Sequence, residues 1–214
     1  MQRAAARSRR LPHLPTAVNG RRRQADRTEA TTRQLLTAAR HLFATEGFDA
    51  TSLAAVAARA QVTKGAVYHH FDSKARVFEA VFAAEIGRLS ESVLTAYRRE
   101  DDPWEAFGAA CRRFLEECAD PATQRIVLVE ALTAIGWEAT RRLEAPLLDL
   151  MCSGISLAAT AGRIDPRPAE PFAHFLFGAL CETALTVARA DDRRAAQRRA
   201  LAEVDRVLGA VAVR

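Results

Sequence analysis

Between residues 63 and 74 the chain gathers side chains that suit an anionic surface: Thr63, Lys64, Gly65, Ala66, Tyr68, His69 and Lys74. A hydroxyl, an ammonium, a phenol and an imidazole can all donate to phosphate oxygens or to base edges. If 63–71 is a helix, Thr63, Lys64 and Ala66 occupy its leading turn, and Tyr68 and His69 follow one turn later. Gly65 leaves a side-chain-free spot where a nucleic-acid backbone can approach closely. Lys74 adds a charge beside the next helix N-terminus, itself an anion site. Adjacent His69 and His70 diverge by about 100° on a helix, so they do not make half a metal site.

The elements that position these groups follow from hydrophobic period and caps. Leu35, Leu36, Ala39, Leu42 and Phe43 recur at helical spacing from Thr28 onward, and Gly47 ends the run as a helix stop. Thr51 and Ser52 are cap residues for a short helix over Leu53–Ala60. After Gln61 and Val62, Thr63 caps a third helix, and Asp72-Ser73 a fourth that carries Val77, Phe78, Val81, Phe82 and Ile86. Two short helices joined by a tight turn make a helix-turn-helix unit, whose second helix enters the major groove.

Further along, Pro103 and Pro121 open helices, Gly136 interrupts, and a long helix over about 137–161 bends at Pro146. Residues 171–190 are almost continuously apolar, and the last helix carries Leu201, Val204 and Leu208 on one face. No alternating strand pattern occurs. The expected architecture is all-α with about nine helices: a basic, disordered arm over 1–27, a DNA-binding unit over 28–87, and a second helical unit over 88–214.

Charge is distributed unevenly. The chain has 214 residues and a net charge of +5; residues 1–30 carry +6, residues 31–80 carry +2, and the remainder −3. The first third therefore meets an anionic partner. The arm is acid-poor like a transit peptide, but Pro12 and Pro15 break the helix such a signal needs. The longest uncharged run, Leu150–Gly162, is thirteen residues, which leads to the expectation of no membrane span. Cys111, Cys118, Cys152 and Cys181 lack metal spacing and read as buried hydrophobes in a reducing cytoplasm. No nucleophile elbow, P-loop or zinc motif is present, so neither an enzyme nor a cofactor is expected.

Residues 28–87 resemble the DNA-binding domain of the TetR family of transcriptional regulators. The resemblance lies in Ala38-Ala39-Arg40-His41-Leu42-Phe43, Glu46-Gly47-Phe48, Thr51-Ser52-Leu53, and the string from Val62 through Tyr68-His69-His70-Phe71 to Lys74. It implies that Thr63, Lys64, Ala66, Tyr68 and His69 face DNA, that Lys74 contacts phosphate, and that Thr51 or Ser52 caps the second helix and touches phosphate. It also implies a cytoplasmic homodimer on a pseudo-palindromic double-stranded operator, released by a small-molecule effector. An activator, or a regulator without an effector, has the same sequence signature; an all-α enzyme and an unspecific basic DNA binder are the competitors from other classes. The family usually has glycine where this chain has Gln61, which implies strain if that residue is left-handed.

Within the second unit, Trp104, Phe107, Trp137, Glu138, Arg141 and His174 are the candidate effector contacts, aromatic walls with polar tips. Phe114 and Phe175 read as core. The resemblance assigns the last two helices to the dimer, which makes Leu176, Leu180, Leu201, Val204 and Leu208 the expected interface.

Overall fold

The computed structural model describes residues 17–213, with side chains from Thr28 onward. Helix α1 (Ala17–Thr45) begins well ahead of the expected Thr28. The expectation of an arm without structure over 1–27 is thus corrected at its end; residues 1–16 lie outside the described residues. Arginine, glutamine and alanine are good helix formers, so a helix nucleated by the apolar turns around Leu35–Phe43 propagates backward without an apolar stripe.

Three short segments carry strong local stop and start signals. Ser52, Thr63 and Ser73 each accept the backbone N–H three residues on, from Ala55, Ala66 and Arg76, at 3.1–3.2 Å. These N-caps start α2 (Leu53–Arg59), α3 (Lys64–His70) and α4 (Lys74–Tyr97). Helix α4 is about 36 Å long. Its first turns pack on α1 through Phe43 and Phe78, whose rings meet edge-on at 5.1 Å. The expected boundary at 87/88 falls inside α4, so both units share this helix and one continuous core.

Asp102 caps α5 (Pro103–Glu117) with Pro103 at its first position. Helix α6 (Pro121–Thr123) runs into a π-helical segment, Gln124–Glu130, and then into α7 (Ala131–Thr160). Gly136 (φ 77°) interrupts α7 as expected, whereas Pro146 sits within it without leaving helical torsions. Helices α8 (Ala169–Arg189) and α9 (Arg193–Val211) complete the bundle. Among the described residues the β pairing is one bridge, Ile164 to Ala212, and the Val213 N–H donates to the Arg163 carbonyl at 2.8 Å.

Counting uncharged runs alone understated two segments. Pro121–Thr160 and Ala169–Ala188 are long and apolar enough to cross a bilayer by composition. Here both pack in the bundle, burying Ile155, Ala158, Ala173 and Phe177.

Candidate nucleic-acid interface and effector cavity

Val67 is fully buried and anchors α3, which turns the opposite face outward. Thr63, Lys64, Gly65 and His69 are exposed, Ala66 is half-buried, and Tyr68 is 50% exposed. Lys64 and Tyr68 lie four apart on one face, with the ammonium 5.8 Å from the ring centroid. A Cβ added at Gly65 would meet only the Thr63 hydroxyl, at 3.9 Å. The chain's own packing does not require glycine there, and the site stays open for close approach. His70 points the other way: its Nδ1 lies 3.2 Å from the Thr32 hydroxyl and ties α3 to α1.

Two expected DNA contacts have partners within the chain. Thr51 is 2% exposed, and its hydroxyl donates to the Gly47 carbonyl at 2.7 Å. It fastens the loop after α1, while the exposed Ser52 provides the cap. Lys74 donates to the Phe48 carbonyl at 2.7 Å and the Asp49 carbonyl at 3.2 Å, with its ammonium 4.3 Å from the Phe48 ring. It is a half-buried strut under the same loop. The Lys74 partners lie 25 and 26 residues back, beyond what spacing reveals, whereas the Thr51 bond is local, four residues back.

Gln61 is left-handed, with φ 55°. Its turn is closed by the Val62 N–H donating to the Ala57 carbonyl at 3.0 Å. A side chain there costs roughly 1–2 kcal/mol, partly offset by the greater unfolded freedom of glycine. Gln61→Gly is expected to raise stability by about 0.5–1 kcal/mol, read as a higher denaturant midpoint at unchanged slope.

The two units are joined by a polar cluster that the sequence did not reveal. Glu85, 3% exposed, accepts from Arg40 at 2.6 Å and from the Thr123 hydroxyl at 3.1 Å. Arg40 also reaches Asp120 at 3.3 Å, and Arg88 contacts Glu117 and donates to Thr123 at 2.7 Å. From the π-helical segment, Arg125 donates to the Thr45 carbonyl at 2.9 Å and is braced by Glu130 at 3.1 Å. Gly47 has φ 92°, a conformation that a side chain would strain, and the Arg125 guanidinium lies close against it.

Burial works against the Glu117 and Asp120 carboxylates, yet Arg88 and Ser92 on the first and Thr123 and Arg40 on the second hold both below the ordinary range. The folded state then binds fewer protons than the unfolded state, so stability rises with pH. This contribution is present above the unfolded values of about 4 and is lost as pH falls through the lower folded ones. The melting temperature should drop between about pH 5 and pH 3, and Glu117→Gln should flatten that drop. An unchanged profile in the variant would count against the cluster.

In the second unit, α4, α5, α7 and α8 enclose a cavity of about 180 Å³. Of the six expected effector contacts only Phe107 lines it. Trp104 is buried behind Phe107, stacked at 5.1 Å, with its indole N–H donating to the Leu208 carbonyl at 3.1 Å. Trp137 is 61% exposed and covered by the Arg141 guanidinium at 4.4 Å, and Arg141 also pairs with the buried Glu144 at 2.9 Å. Glu138 and His174 are exposed. Polar tips therefore marked the surface of α7 and α8, whereas the lining consists of plain apolar residues such as Leu147, Met151 and Phe177 that composition cannot single out. Phe114 is buried and also lines the cavity. Burial pushes the Cys111 thiol up to about 12 and the Cys181 thiol likewise to about 12, so neither is a thiolate near neutrality.

Of the expected interface residues, Leu176, Leu180, Val204 and Leu208 line a groove between α8 and α9. Leu176, Leu180 and Leu208 are buried within their own chain, and Leu201 and Val204 are half-buried. Phe175, expected in the core, is 69% exposed. A helix that is apolar all round cannot bury every face in one chain, and each step of 100° sends the neighbours of a core residue outward. The outer faces of α8 and α9 carry Phe175, Ala179 and Val207. The groove between these helices measures about 560 Å³.

Comparison with known proteins agrees with this geometry. Residues 35–81 match the model for bacterial regulatory proteins of the tetR family, and residues 104–211 match the tetracyclin repressor-like C-terminal domain. The chain belongs to the TetR family. It is a TetR-family transcriptional regulator with a helix-turn-helix DNA-binding domain, a family of DNA-binding regulators rather than enzymes. It is 25% identical over 126 residues to the Transposon Tn10 TetC protein of Escherichia coli, covering 59% of this chain and 64% of that one. It is 34% identical over 83 residues to the HTH-type transcriptional activator FasR of Mycolicibacterium smegmatis, covering 39% and 38%. The chain thus aligns with less than two thirds of either curated relative. The crystal structure of a TetR-family transcriptional regulator from Pectobacterium atrosepticum superposes with a TM-score of 0.75 at 28% identity, covering 88% of this chain and 97% of that one.

Proposed function

We propose that this TetR-family regulator is a cytoplasmic, homodimeric repressor that leaves a pseudo-palindromic operator when a small molecule fills its cavity. The observation that carries the reading is the double use of α4. Its first turns bury Val77 and Phe78 in the core that seats the recognition helix, and its last turns supply Val93, Leu94 and Tyr97 to the cavity wall. A ligand that shifts the far end of α4 moves α3 with it, and the Arg125 bridge to the end of α1 carries the same displacement by a second route. Affinity for operator and ligand is then coupled in both directions.

Thr63, Lys64, Ala66, Tyr68 and His69 are assigned to DNA, with Ser52 and Gly65 at the contact margin. A second copy is assigned to the groove between α8 and α9 and to the outer face that carries Phe175 and Val207, which removes a large exposed ring from water. The activator FasR among the relatives supports a second reading, activation from the same fold. The test is binding to the DNA upstream of the chain's own reading frame against random competitor, followed by a reporter. A specificity ratio near one rejects operator recognition. A reporter that rises when the protein is removed supports repression, and one that falls supports activation.

A further inference from the structure

We propose that the cavity takes an uncharged, mainly hydrocarbon molecule of about one ring, entering on the side of Tyr97 and Leu157. Its regulatory consequence rests on the ligand-responsive reading above; the binding itself does not. Size is the first argument. An apolar cavity of roughly 150 Å³ stays dry and accepts benzene, and this one measures about 180 Å³, which leaves room for one ring with a short substituent. Chemistry is the second. No lining residue is charged; the walls are the rings of Phe107, Phe114 and Phe177 and the side chains of Leu147, Leu180 and Met151. A carboxylate or ammonium ligand would shed its hydration and find no counter-charge.

Arg141 pairs with Glu144 and lies over Trp137 and, at 6.0 Å, over the Phe177 ring, yet neither charged residue lines the cavity. The cavity is also asymmetric. Phe107, Phe114, Phe177 and Leu180 form a buried floor, whereas Leu157 is half exposed and Ser153 exposed on the α7 side. Among the lining residues, Ser153 and Tyr97 carry hydroxyls. Gly154 shapes the same wall: a Cβ would come within 2.9 Å of the Phe107 ring, so glycine lets that ring lie against the backbone of α7.

The experiment follows thermal unfolding of the full-length protein with toluene, benzoate or benzylamine at neutral pH. Toluene at a hundredfold excess over its Kd should raise the melting temperature by roughly 5–10 °C, and the two ions should not shift it. Ala110→Phe fills the cavity from α5, and Leu157→Trp closes the rim at a half-exposed position that tolerates bulk. The toluene shift should fall by more than half in each. Equal shifts from benzoate or benzylamine, no shift from toluene, or a toluene shift that persists in both variants would overturn the proposal. Operator binding is read in parallel by fluorescence anisotropy. Toluene binding with operator release supports both readings. Toluene binding without release keeps the ligand class and rejects the ligand-responsive repressor.

Discussion

Replacing Leu208 by arginine should unfold the C-terminal unit rather than merely separate two chains. Leu208 is 6% exposed, its side chain faces Gly108 of α5, and its carbonyl accepts the Trp104 indole N–H. Losing that packing costs about 2–5 kcal/mol, and an unpaired guanidinium there adds a desolvation penalty. The total approaches the whole stability of an ordinary domain. Phe175→Asp is the contrasting variant. Its ring is already in water within one chain, so the monomer should keep its stability to within about 0.5 kcal/mol while the dimer dissociates. Denaturant unfolding and sedimentation separate the two effects. A dimer that survives Phe175→Asp removes the outer face of α8 from the interface, and a folded Leu208→Arg protein contradicts the packing of α9 on α5.

The double variant Lys64→Ala, Tyr68→Ala should weaken operator binding by at least about 30-fold, since each lost contact at the groove is worth roughly 1–3 kcal/mol. The two side chains touch, so the double loss is expected to differ from the sum of the single ones. Both are exposed, and Val67 continues to anchor α3, so melting should hardly change. Thr63 needs a gentler substitution because its hydroxyl caps α3; Thr63→Ser keeps the cap while altering the methyl that can meet a thymine. Lys74→Ala should behave in the opposite way. It removes two hydrogen bonds from an ammonium to carbonyls, each worth about 1.5–3 kcal/mol, so stability should fall first. The salt dependence of residual operator binding should stay as in the parent protein, whereas loss of a phosphate contact flattens it by about one unit. Unchanged operator affinity in the Lys64, Tyr68 double variant would reject α3 as the reading helix.

The sequence by itself determined what depends on neighbours a few residues apart. Ser52, Thr63 and Ser73 cap the helices they were expected to start, Gly47 stops α1, and Gly136 breaks α7. Caps and turns are satisfied within three or four residues, so residue type and spacing suffice to find them. Tertiary structure decided which side of each helix faces which neighbour. It tied Lys74 to the loop after α1, placed Trp137, Glu138 and His174 in water, buried Leu180 and Leu208 in their own chain, and left Phe175 outside. It also assembled the cavity from four helices and joined Glu85 to Arg40 and Thr123 across long stretches of chain. The physical reason is that apolar burial is non-directional. An apolar residue on a helix that is apolar all round gains as much from one neighbour as from another, and only the packing of the whole bundle settles which faces are covered and which remain open.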